Sequence, residues 1–146
     1  MKRILFLGLA ATIMSFASMS HADAIFYSSL ANACEYISGH WAGTGKASNW
    51  VLGDCIYHGA GTVSSLDATG HFKIEVASDK DSGSILCPNH ATKQLTGICL
   101  NGVVTIMTEY GNMTGSFSQN SGSAKGTLSV APGMNADVVI QFQRVE

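Results

Sequence analysis

Ile37-Ser38-Gly39-His40-Trp41-Ala42-Gly43-Thr44-Gly45 decides how the rest of the chain is read. Taken as a strand, its alternation puts Ile37, Gly39, Trp41, Gly43 and Gly45 on one face, so a single indole projects into space that the three glycines leave empty. A ring of that bulk among residues with no side chain is a core anchor.

Outward from this anchor, the chain after Tyr36 consists of short β-rich runs separated by Gly, Asp, Asn and Ser about every ten residues. That spacing predicts an antiparallel all-β barrel or sandwich. No helical periodicity separates the runs, which argues against parallel crossover units. Strands are expected over 36–47, 54–66, 71–78, 83–88, 94–100, 103–109, 113–119, 124–131 and 136–145. Before them, apolar residues at 26, 30, 33 and 37 suggest one short helix.

The connections are short. Asn101-Gly102, between two apolar runs, is the strongest two-residue hairpin signal because both positions need positive φ. Asp67-Ala68-Thr69-Gly70 fits a type I turn closed by a left-handed Gly. Asp79 to Gly83 and Asn120 to Ser123 are expected to be looser turns, and Ala131-Pro132-Gly133 to end a strand. Eight or nine strands joined this tightly form a meander, which loses its exposed edges most simply by pairing the last strand with the first.

Closure brings 136–145 beside 36–47. Val138, Ile140, Phe142 and Arg144 share the inner face of the last run. Arg144 is thereby expected near Trp41, where a guanidinium can stack on the indole and donate to loop carbonyls at the closed end. The 97–107 hairpin is apolar on both sides, and the N-terminal segment is a candidate to cover it.

Met1 to Ala24 has a basic start (Lys2, Arg3), an apolar run from Ile4 to Phe16 and the small-residue arrangement Ala22-Asp23-Ala24, the pattern of a bacterial secretory signal peptide cut near Ala22 or Ala24. The run is shorter than the roughly 20 residues of a spanning helix, so no membrane span is expected. Residues 25–146 then make one domain, secreted or periplasmic. Export also explains the even cysteine count, since Cys34, Cys55, Cys87 and Cys99 predict two disulfides. Cys87 with Cys99 and Cys34 with Cys55 is the favoured connectivity, because the first pair lies symmetrically about the polar stretch Asn89 to Gln94.

Charged residues are only 12% of the chain and the net charge is −2. Such a surface offers no basic field for nucleic acid or anionic headgroups. His40, His58, His71 and His90 are scattered over different runs without metal-ligand spacing, and no C-x-x-C pair occurs, so no metal and no cofactor are expected. No G-x-S-x-G or other nucleophile motif is present, and an enzyme is not expected. Asp79 to Gly83 lacks the later ligands of a calcium loop. An outer-membrane barrel is disfavoured by short strands without aromatic girdles.

Gly39-His40-Trp41, Thr108-Glu109-Tyr110 at the end of a strand, and Arg144 in the last strand resemble the calycin pattern of the lipocalins and their relatives: G-x-W in the first strand, T-D-Y at the end of the sixth, and a late Arg on the Trp. The secreted avidin-like barrels open with a similar G-x-W-like segment. The likeness spans the chain from the first strand to the last. It implies a small up-and-down barrel in which Gly39, Trp41, Arg144, Thr108 and Tyr110 are structural. The expected role is non-enzymatic binding of a small hydrophobic ligand, with Trp41, Gly43, Gly45, Tyr57, Phe72, Ile74, Phe117 and Phe142 as candidate lining residues. The alternative is a protein-interaction module, an inhibitor or host-facing factor, with a filled interior.

Overall fold

The computed structural model describes residues 33–145; the expected leader and residues 25–32 lie outside them. A single 3-10 turn, Ala33–Tyr36, is what the described residues contain of the expected N-terminal helix. Eight strands follow: β1 (Gly39–Asn49), β2 (Gly53–Val63), β3 (His71–Ser82), β4 (His90–Leu100), β5 (Val103–Thr108), β6 (Gly111–Phe117), β7 (Ser121–Ala131) and β8 (Met134–Val145). Each pairs antiparallel with the next, and β8 returns to β1, so the sheet is a closed up-and-down barrel.

The expected strand at 83–88 is absent. β3 continues through Asp79, Lys80 and Asp81 to Ser82, where a turn was expected, and residues 83–89 form the loop to β4. Gly83 at φ 120° breaks the extended backbone, and Pro88 has no N–H for a ladder. Even parity is what antiparallel closure demands: in a meander, a ninth strand would run parallel to the first. In the register at the join, Trp41 is the partner of Arg144 and Gly43 of Phe142.

The turns follow their chemistry. Asn101 and Gly102 have φ of 53° and 79°, the paired left-handed positions of a tight hairpin. The amide of Gly70 donates to Asp67 O at 3.1 Å and closes the β2–β3 turn.

Alternation sends every second residue inward, and the core that results is not evenly distributed. At the end where β1 starts and β8 finishes, Ile37 is fully buried and accepts a hydrogen bond from Trp41 Nε1 at 2.9 Å. Arg144 lies over the Trp41 ring, 4.5 Å from its centroid, and donates from Nε to Gln119 O, from Nη1 to Ser38 O and from Nη2 to Tyr36 O. One cation thus satisfies three carbonyls that no strand partner reaches. We call this the plugged end.

The disulfides are Cys34–Cys99 and Cys55–Cys87, which corrects both expected pairs. The physical reason is strand direction. Cys99 sits near the plugged-end terminus of β4, beside the incoming N-terminal segment, whereas Cys87 lies in the β3–β4 loop at the other end, where β2 begins with Cys55. Symmetry about a polar stretch does not bring Cys87 and Cys99 together, because almost the whole of β4 lies between them. Cys34–Cys99 fastens the 3-10 turn across the plugged end, as cover for the interior of the 97–107 hairpin. Leu100 and Val103, on its outer side, remain exposed.

Candidate functional site

The inward positions of β1 and β2 contain the sequence feature that opens the interior. Gly43 is paired with Gly59, while Trp41 faces Gly61 below them and Gly45 faces Tyr57 above. Two aromatic side chains are thereby separated by a step of bare backbone. The barrel wall here is main chain alone at Gly43, Gly45, Gly59 and Gly61. A Cβ on Gly43, Gly59 or Gly61 would meet the backbone of the neighbouring strand within 3 Å, so these three let strands approach closely, whereas Gly45 leaves open space.

The result is a cavity of about 320 Å³. Its floor is an aromatic cluster: the Trp41 ring meets Phe117 edge-on at 5.1 Å and Phe142 at 5.5 Å, with Phe117 and Phe142 centroids 4.8 Å apart. Ile74, Val76, Leu95, Ile106, Met113, Val138 and Ile140 complete the wall, which is almost entirely apolar. Tyr57 and Ser78 are the inward-facing side chains with polar atoms on this wall. Burial raises the Tyr57 phenol above its ordinary value, and its hydroxyl donates to Pro88 O at 3.1 Å, so its polar end is turned to the β3–β4 loop and away from the cavity. Lys80, also on an inward position, is committed to the same loop, donating to Ser84 O at 2.9 Å and Cys87 O at 3.0 Å. A loop held by a disulfide, a phenol and an ammonium stands beside the cavity's mouth.

Trp41, Gly43, Gly45, Tyr57, Ile74, Phe117 and Phe142 line this cavity. Phe72 does not: the far edge of its ring occupies the position that a Cβ on its cross-strand partner Gly97 would take, and it belongs to the buried core with Ile37 and Trp41. Gly39 has positive φ and gives the Arg144 guanidinium room to pass. Thr108 and Tyr110 lie at the β5–β6 turn, at the opposite end from Trp41 and Arg144. There the Thr108 hydroxyl donates to Gly111 O at 2.7 Å and accepts from the Tyr110 amide at 3.0 Å.

The outer face offers little chemistry. His58 contacts Asp81 at 2.5 Å and His90 contacts Asp79 at 2.7 Å, all four side chains exposed. Among the described residues no three His, Cys, Asp or Glu converge where a metal ion could be held, and no helix is long and apolar enough to cross a membrane. A wide depression outside β6, β7, β8 and β1, near the Asn101-Gly102 turn, is bordered by Ser116, Ser123 and Gln141. It is open to solvent and its border is uncharged.

Sequence reasoning missed a group at the mouth. Trp50, Val51, Ile85 and Leu86 are exposed on the β1–β2 and β3–β4 connections. The signal available was their position: large apolar residues inside segments bracketed by Asn49 and Gly53, or by Gly83 and Pro88, where turn chemistry favours small polar residues. Comparison with protein-family models and with curated proteins gives no match.

Proposed function

We propose that this chain is an exported, non-enzymatic carrier that holds one small, uncharged, apolar molecule inside a barrel similar in architecture to the calycins. The observation that carries the reading is the cavity of about 320 Å³ over an aromatic floor. That volume falls at the lower end of the range of small-molecule sites, and the wall has no charged group for a ligand to pair with. Affinity then comes from apolar area removed from water and is expected on the order of micromolar for a ligand of this size. Two disulfides fit an oxidising compartment, periplasmic or extracellular. A filled interaction module is the less economical reading, since it leaves the open space beside Gly45 without a use.

The test is titration of the delipidated protein with a neutral phenylnaphthylamine probe, together with native mass spectrometry of the protein as purified. One saturable site per chain is expected. Gly45→Leu should weaken probe binding about tenfold or more, because a Cβ at Gly45 meets nothing closer than Ile140 Cγ1 at 3.6 Å and the added side chain enters the cavity. Absence of saturable binding by the wild type removes the carrier reading.

A further inference from the structure

The mouth end presents a second feature, separate from the cavity wall. Trp50 is 88% exposed, Ile85 93% and Leu86 72%, and with Val51, Tyr110 and Val130 they occupy the tips or margins of all four connections at that end. Turns at the plugged end are Asp67 to Gly70, Asn101-Gly102 and Ser118 to Asn120, all polar or small. Leu100, Val103 and Val145 are exposed on strand ends there, but the three most exposed large apolar side chains among the described residues, Trp50, Ile85 and Leu86, all lie on connections at the mouth.

We infer that this ring is a docking collar for the surface of a neutral, zwitterionic lipid bilayer, where the barrel takes up or releases its ligand. The inference rests on the carrier reading for its purpose but not for its geometry. Three observations select this occupant. The apolar tips come from four separate loops around a mouth, so they form a ring suited to a planar, deformable surface. Their chemistry is that of an interfacial anchor, with Trp and Tyr beside Ile, Leu and Val. Of the lysines at this end, Lys46 pairs with Asp54 at 2.7 Å, Lys93 pairs with Glu109 at 2.5 Å, and Lys80 is turned to the carbonyls of Ser84 and Cys87, while Asp79 and Asp81 add negative charge beside His90 and His58, so no basic patch is present to select anionic headgroups.

Vesicles of phosphatidylcholine without probe are the test. The wild type should float with them, and Trp50 emission should shift to the blue and be quenched by brominated acyl chains, with Trp50→Phe identifying the signal against buried Trp41. The triple variant Trp50→Ser, Ile85→Ser, Leu86→Ser should lose partitioning at least about tenfold, while its affinity for the phenylnaphthylamine probe in vesicle-free solution stays unchanged. No flotation by the wild type, equal flotation by the variant, flotation confined to anionic vesicles, or a collar-dependent dimer without vesicle binding would each overturn the docking surface. Failed probe binding with intact flotation strikes the carrier reading alone.

Discussion

The two ends of this barrel obey the same alternation and differ in what the inward positions hold. At the plugged end they hold Trp41, Phe72, Phe117, Phe142 and Arg144, with Ile37 and the Cys34–Cys99 bridge across them. Toward the mouth, at Gly45 on β1, glycine stands where bulk would fit, and the space is left to a cavity. Outside, the order is reversed: polar turns close the packed end, and apolar tips surround the hollow one. Binding sites draw on the less stable part of a structure because a filled core has no room for a ligand. Packing energy is concentrated at one end, and the other is free to exchange its contents.

Truncating one aromatic at each end tests that division most strongly. Trp41→Ala removes the ring that meets Phe117, Phe142 and Arg144, along with the donor to Ile37 O, and should cost about 3–5 kcal/mol in urea unfolding. Tyr57→Ala, at the mouth, should cost about 1–2 kcal/mol, since its ring borders empty space and its hydroxyl serves one loop carbonyl. Equal losses would mean that the ends are not energetically distinct.

A finer comparison lies within one strand. A Cβ on Gly43 would collide with the β8 backbone, coming within 2.8 Å of Phe142 Cα and closer still to Gln141 O, whereas one on Gly45 has ordinary contacts. Gly43→Ala should therefore destabilise by about 1–3 kcal/mol. Gly45→Ala should be neutral or stabilising by roughly 0.5 kcal/mol through the unfolded chain's lost freedom. Gly43 thus allows a close strand approach as well as a void, and the urea midpoints of the two variants separate these roles. Similar midpoints would remove the distinction.

Closure, and with it the Trp41–Arg144 contact, was legible because it follows from local signals: alternation gives the inner face, and short connections give nearest-neighbour pairing. The Asn101-Gly102 turn was legible for the same reason. Cysteine pairing was not, because it depends on which end of the barrel each residue reaches, and that alternates with every strand. Counting 83–88 as a strand changes the parity of everything after it, so one misread loop, apolar at Ile85 and Leu86 for reasons other than pairing, hides both the join's parity and the Cys55–Cys87 bridge. Cavity residues on β1 were visible as glycines beside an indole. Met113, Leu95 and Val138 were not, since an inward apolar residue reads the same whether it faces a neighbour or a void.

The smallest expected difference between the ends is electrostatic. At the plugged end, Asp67 is held below the ordinary carboxylate value first by the Thr69 hydroxyl and then by the amides of His71 and Thr69, which donate at 2.9 and 2.8 Å. At the mouth, Glu109 is lowered chiefly by its hydrogen bond from Lys93, and Lys93 is raised chiefly by Glu109. A carboxylate with a lowered folded value stabilises fully above its unfolded value, about 4, and loses that contribution as pH falls through the folded value. Both ends therefore weaken in acid. The mouth alone also weakens in alkali, as pH rises from above the unfolded lysine value of about 10.4 through the raised folded one. Salt separates them further, since an exposed ion pair is screened while a hydrogen-bonded Asx turn holds its partners regardless. Urea midpoints against pH at low and high salt should show a salt-sensitive component that shrinks in Glu109→Gln, the remainder belonging to the Lys46–Asp54 pair at the same end, and a salt-insensitive acid slope that flattens in Asp67→Asn. If salt acts equally on both variants, the two ends are electrostatically alike and their contrast is one of packing alone.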